Sequence, residues 1–117
     1  MENKFKSQQQ EVQIYLRFPV GKFDSEKNLD AIFQLEEILA HSVETNGLGR
    51  FDGNEFCDSP DESSVTFFIY GTNADSVCDV LTPFVVGLPF LSGSHILKRY
   101  GVGNDNEMYI PLKKTKL

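Results

Sequence analysis

Between Glu11 and Phe18 every second residue is apolar. Val12, Ile14, Leu16 and Phe18 fall on one face, Gln13, Tyr15 and Arg17 on the other. A period of two predicts a half-buried strand, and Pro19 with Gly21 closes it. The period then changes. Leu29, Ile32, Phe33, Leu39, Ala40 and Val43 recur at the helical repeat of about 3.6 residues, while Asp30, Glu37 and Glu44 largely avoid that side. An amphipathic helix near residues 26–45, packed on a sheet, is predicted. Asp24 or Ser25 can cap its start, and Asn46-Gly47 supplies the left-handed stop that ends helices.

Leu48 to Cys57 reads as a second strand with poor alternation. Gly49 and Gly53 interrupt it, and Asp52-Gly53 forms either a bulge or a tight turn. Asp58 to Ser63 is a loop by composition. From Ser64 to Tyr70, Val65, Phe67 and Ile69 oppose Thr66, Phe68 and Tyr70, so both faces carry large apolar groups and the strand belongs inside a sheet. Thr72 and Asp75 stand at the spacing of a capping pair. Val77, Val80, Leu81, Phe84 and Leu88 then form a helical stripe over residues 73–87, which Pro83 should kink or cut short. His95 to Tyr100 is a fourth strand, and Met108 to Leu112 a short fifth one held at an edge by Pro111.

The order strand, helix, strand, strand, helix, strand predicts an α+β fold. With right-handed crossovers both helices cover one sheet face, giving a ferredoxin-like βαββαβ sandwich. Four main antiparallel strands should lie in the order 4-1-3-2, with a short extra C-terminal edge strand beyond them. The whole chain, 1–117, reads as one domain between a mobile N-terminal tail (1–10) and a basic C-terminal tail (113–117). Ile14, Leu16, Ile32, Leu39, Phe67, Ile69, Val77, Leu81 and Phe84 are the expected core, while Tyr15, Phe68 and Tyr70 point to the open sheet face.

Gly47-Leu48-Gly49, Asp52-Gly53-Asn54-Glu55, Tyr70-Gly71-Thr72-Asn73-Ala74-Asp75, Pro83 and Arg99-Tyr100-Gly101 form a DGxE…YGxxAD…P…RYG pattern. In this pattern, which spans residues 47–101, the chain resembles a group of small uncharacterised bacterial α+β proteins of unknown function. The resemblance implies a bacterial, cytoplasmic origin and brings no catalytic or binding residue with it.

Charge changes the picture more than composition does. The 117 residues are 40% hydrophobic and 24% charged, ordinary values for a globular chain. The net charge is −6, yet from Phe51 to Leu97 there are seven acids and no Lys or Arg. Asp52, Glu55, Asp58, Asp61 and Glu62 crowd into one short stretch, with basic segments at both chain ends. Such a chain is disfavoured as a nucleic-acid binder, which must neutralise phosphates. Strand three also lacks the basic residue that opens the RNA-recognition motif, although Tyr15, Phe68 and Tyr70 lie where such modules stack bases. No apolar run is long enough to span a bilayer, and residues 1–10 carry no signal-peptide pattern, so a cytoplasmic setting without membrane contact is expected.

The residues offer little catalytic chemistry. Asp52-Gly53-Asn54-Glu55 lacks the ligand offsets of a calcium loop. Cys57 borders anions that disfavour a thiolate, and Cys78 sits near an apolar stripe, where cysteines are core filler. His41 reads as a solvated helix residue and His95 as a flank of the open face. No serine lies in a nucleophile elbow, and no glycine-rich loop has phosphate-binding spacing. The expectation is therefore a non-catalytic module without metal or cofactor. Its acidic stretch would contact a basic protein partner, as an inhibitor or toxin-immunity protein covers a basic site. The alternative is a homodimeric regulatory domain that binds a small ligand on its open sheet face.

Overall fold

The structure is a computed structural model that describes residues 9–19, 21, 26–61, 63–87, 92–101 and 107–112. Glu62, Leu88, the candidate caps Asp24 and Ser25, and both tails apart from Gln9 and Gln10 lie outside the described residues. The elements run β1 (Gln10–Phe18), α1 (Glu26–Thr45), β2 (Gly49–Asp58), β3 (Ser63–Gly71), α2 (Ala74–Val85), β4 (His95–Arg99) and β5 (Glu107–Pro111). All neighbouring strands are antiparallel. The sheet order is β2-β3-β1-β4-β5, an α+β arrangement compatible with a ferredoxin-like sandwich but extended by β5 outside β4.

Alternation builds the inner face. Val12, Ile14, Leu16 and Phe18 of β1 face the same side as Val65, Phe67 and Ile69 of β3, and Ile14 lies opposite both Phe67 and Ile96. Ile32, Leu35, Leu39 and Val43 of α1 join them in one buried cluster with Val77, Leu81 and Val85 of α2, which places both helices over that face. One expected core position, Phe84, and one member of the predicted apolar stripe, Phe33, are corrected. Phe33 is 45% and Phe84 41% exposed. Leu35 completes the buried stripe of α1, leaving Phe33, one residue past Ile32, turned aside. In the last turn of α2, Val85 takes the inward place instead of Phe84.

The helix ends show which local signals acted. Gly47, at φ +66°, closes α1: its N–H donates to the Glu44 carbonyl and that of Leu48 to the Val43 carbonyl, the paired bonds of a Schellman stop. At the start of α2 the cap is Asn73, not Thr72; its side chain accepts from the Ser76 N–H at 3.0 Å. Gln10, expected in the tail, belongs to β1, and its side-chain oxygen accepts from the Ala74 N–H at 2.7 Å. Pro83 does not break α2 at once; the helix continues two residues to Val85.

Candidate protein-binding surfaces

Asp52, Glu55 and Asp58 lie along β2, one of the two outer strands of the sheet, and Asp61 follows it. Gly49 is the entry point: a Cβ there would meet the Tyr70 carbonyl oxygen at 1.9 Å, so only glycine lets the two strands close up. Farther on, Phe51 pairs with Ile69 but Asn54 with Phe67, so β2 contains one extra residue. Gly53, at φ +107°, absorbs this bulge. The consequence is a change of phase. Phe51 and Phe56 are five residues apart and would occupy opposite faces of a regular strand, yet both sit on the helix side, opposite Ile69 and Val65.

After the bulge, Asn54, Phe56 and Asp58 share the helix side, and Glu55 and Cys57 share the open side. Asn54 donates to the Glu36 carboxylate of α1, tying the strand to the helix. Phe56 meets Phe33 edge to face, with ring centroids 6.0 Å apart. Both rings remain partly in water. Asp58 accepts from the Ser63 hydroxyl at 3.1 Å, and Asp52 lies 3.8 Å from Arg50, a loose exposed pair. Among the described residues, Glu55 and Asp61 have no cationic partner. Asp52, Glu55, Asp58 and Asp61 are all exposed; Glu62 lies outside the described residues.

The basic strand β4 is arranged differently. Lys98 lies on the inner face opposite Val12, largely shielded, and its ammonium donates to Asp75 Oδ1 at 2.6 Å. The Tyr100 hydroxyl donates to the same oxygen at 2.6 Å. These bonds hold the Asp75 carboxyl below the usual carboxylate range; the bond to Asp75 keeps Lys98 firmly protonated and pushes the Tyr100 hydroxyl up. Arg99 bridges Glu11 at 3.2 Å and Glu107 at 2.9 Å across the open face. The cations of β4 are thus spent on internal pairs.

Tyr15, Phe68 and Tyr70 lie on the open face, all half-buried. Register places Phe68 opposite Gln13 and Tyr15 opposite Thr66. Tyr70 joins a polar row: Arg50 lies over its ring at 5.8 Å, and burial, with a hydrogen bond to Glu11, raises its hydroxyl pKa. Tyr15 instead stacks on His95 at 4.9 Å, and His95 on Tyr109 of β5 at 4.5 Å. Sequence reasoning placed His95 beside this face but missed Tyr109, because β5 reaches the sheet only through its hairpin with β4. Likewise no local signal announces the Phe33–Phe56 contact.

Among the described residues, no group of three or more His, Cys, Asp or Glu side chains is placed to hold a metal ion. Cys57 is exposed on β2, Cys78 is buried in α2, and His41 is exposed on α1 beside Thr45. No described helix is long and apolar enough to cross a membrane. No family model, curated protein or solved structure matches the chain.

Proposed function

We propose that this chain is an acidic, non-catalytic protein-binding module whose β2 edge and following loop engage a basic protein, in the manner of an inhibitor or toxin-immunity protein. The observation that supports it is the unequal pairing of charge. Lys98 and Arg99 are neutralised within the fold, whereas Glu55 and Asp61 have no cationic partner among the described residues and Asp52 has only a loose one. Clustered carboxylates repel one another, and a partner's Arg and Lys relieve that repulsion on binding. A ferredoxin-like frame and a cytoplasmic, bacterial setting belong to the same reading. The test is capture of partners with wild type and with a triple variant, Asp52→Lys, Glu55→Lys and Asp58→Lys, followed by association kinetics at two salt concentrations. Rim charges act chiefly on the association rate, so the variant should capture slowly with a flattened salt dependence. Equal rates for both forms would sink the reading.

A second reading is favoured by the Tyr15–His95–Tyr109 stack, which leaves Tyr109 56% exposed on the open face. There the chain would be a homodimer holding a small ligand between two sheets. Light scattering separates the two: a dimer that becomes a monomer on Tyr15→Ser and Tyr109→Ser substitution supports this reading, and a monomer before and after removes it.

A further inference from the structure

The β5 edge of the sheet suits a partner of another kind. Among the described residues nothing pairs with the outer side of β5. Its Tyr109 and Met108, 56% and 48% exposed, are the most exposed large apolar side chains among those residues. Met108 and Ile110 lie on the helix side, opposite the buried Lys98 and Ile96, and Tyr109 lies on the open side, opposite Leu97. The Leu112 N–H donates to the Ser94 carbonyl at 2.9 Å, one step beyond the β4–β5 register. Main-chain groups alternate in direction along an antiparallel strand. Met108 and Ile110 therefore also bond to β4, while Glu107, Tyr109 and Pro111 turn their main-chain groups outward.

A second copy of β5 fits this edge. With the copies antiparallel and Tyr109 on the two-fold axis, each Tyr109 bonds its counterpart through both N–H and C=O. Each Glu107 N–H then reaches the partner's Pro111 carbonyl, and Pro111, which has no N–H, ends the ladder. On the helix side Met108 meets the partner's Ile110, and on the open side the two Tyr109 rings meet. Charge agrees with this register. Arg99 already neutralises Glu107 at 2.9 Å, and Glu107 meets Pro111 rather than a second carboxylate. The sequence turns basic directly after β5, at Lys113 and Lys114, so antiparallel copies bring opposite charges to each end of the pairing. Self-pairing through β2 would instead set Glu55 and Asp58 against carboxylates of their own kind.

We infer that two copies of this chain join along β5, antiparallel and centred on Tyr109, into one continuous sheet. The inference goes beyond both readings above: it leaves β2 alone, and it differs from a sheet-on-sheet dimer in placing Met108 at the interface.

The full chain is tested by sedimentation equilibrium, amide exchange and cysteine cross-linking. A concentration-dependent dimer is expected, with slowed exchange of the Glu107 and Tyr109 N–H groups as it forms. Met108→Glu sets a carboxylate opposite Lys98 in its own copy but against the partner's Ile110, and should raise the dissociation constant at least about tenfold. In a Cys57→Ser background, Tyr109→Cys should cross-link on mild oxidation and Glu107→Cys should not. In this register the Cα atoms of the two copies are about 5.5 Å apart at position 109 and about 14 Å apart at position 107, beyond disulfide reach. A monomer at millimolar concentration overturns the inference. So does a dimer indifferent to Met108→Glu, or equal cross-linking at the two positions. If such a dimer shows unchanged exchange at Glu107 and Tyr109 yet dissociates on Tyr15→Ser and Tyr109→Ser substitution, the sheet-on-sheet reading stands and only the edge pairing falls.

Discussion

The two ends of the sheet carry opposite charge in the sequence and opposite availability in the fold. At the β4–β5 end, Lys98 is drawn inward to Asp75, Arg99 is clamped between Glu11 and Glu107, and the edge strand is a short five-residue segment that ends in Pro111. At the β2 end the strand has ten residues, and seven of them, including Asp52, Glu55 and Asp58, are exposed, these three acids without a firm ion pair. Counting charges along a chain therefore says less than asking which charges the fold has already used. The positive end is consumed in holding β4, β5 and α2 together, and the negative end is displayed.

The largest expected effect contrasts a residue from each end. Ile96 of β4 is 1% exposed and Phe56 of β2 36%. Ile96→Ala should cost about 2–5 kcal/mol through the lost burial and the cavity left behind. Phe56→Ala should cost less, about 1–2 kcal/mol, because about a third of its surface is already in water. Urea denaturation midpoints measure both, and equal losses would mean that β2 is as integral to the core as β4.

The acid limb of stability sharpens the same contrast. Asp75 has its folded pKa held below the ordinary 3.8 by its bonds to Lys98 and Tyr100. A depressed carboxylate stabilises the folded state fully above its unfolded pKa, and that stabilisation is lost as pH falls below about 3.8 through the folded value. Asp75→Asn should therefore lower the urea midpoint at pH 7 and flatten its fall in acid. A variant whose acid limb superimposes on wild type would show that the pair is not formed in solution.

At the open end the prediction is near silence. Replacing Asp52, Glu55 and Asp58 with Lys should leave stability within about 0.5 kcal/mol of wild type, or raise it slightly by relieving repulsion. A large loss would give these carboxylates a structural part beyond the single Asp58–Ser63 bond and the loose Asp52–Arg50 pair.

Much of this frame was legible in the chain. The strict alternation of Val12, Ile14, Leu16 and Phe18 and of Val65, Phe67 and Ile69 identified the inner faces, because a sheet with one covered face forces every second side chain inward. The Asn46-Gly47 stop marked the end of α1 to the residue. What escaped was set by distance or by phase. The poor alternation of β2 arose from its bulge, which brings Phe51 and Phe56 to one side despite their odd spacing. No local signal tied Lys98 to its partner, because Asp75 lies across the fold at the head of α2. The Phe33–Phe56 contact joins a helix and an edge strand whose sequences say nothing of each other. The location of the acids could be read; their availability depended on where the cations went.

That availability can be measured directly by nuclear magnetic resonance titration of the chain with a short oligolysine peptide at low ionic strength. The account predicts amide shift changes confined to β2 and its following loop, residues 52–61, fading as salt is added. Shift changes centred on Asp75, Glu11 and Glu107, or spread evenly over the acids of α1, would contradict it.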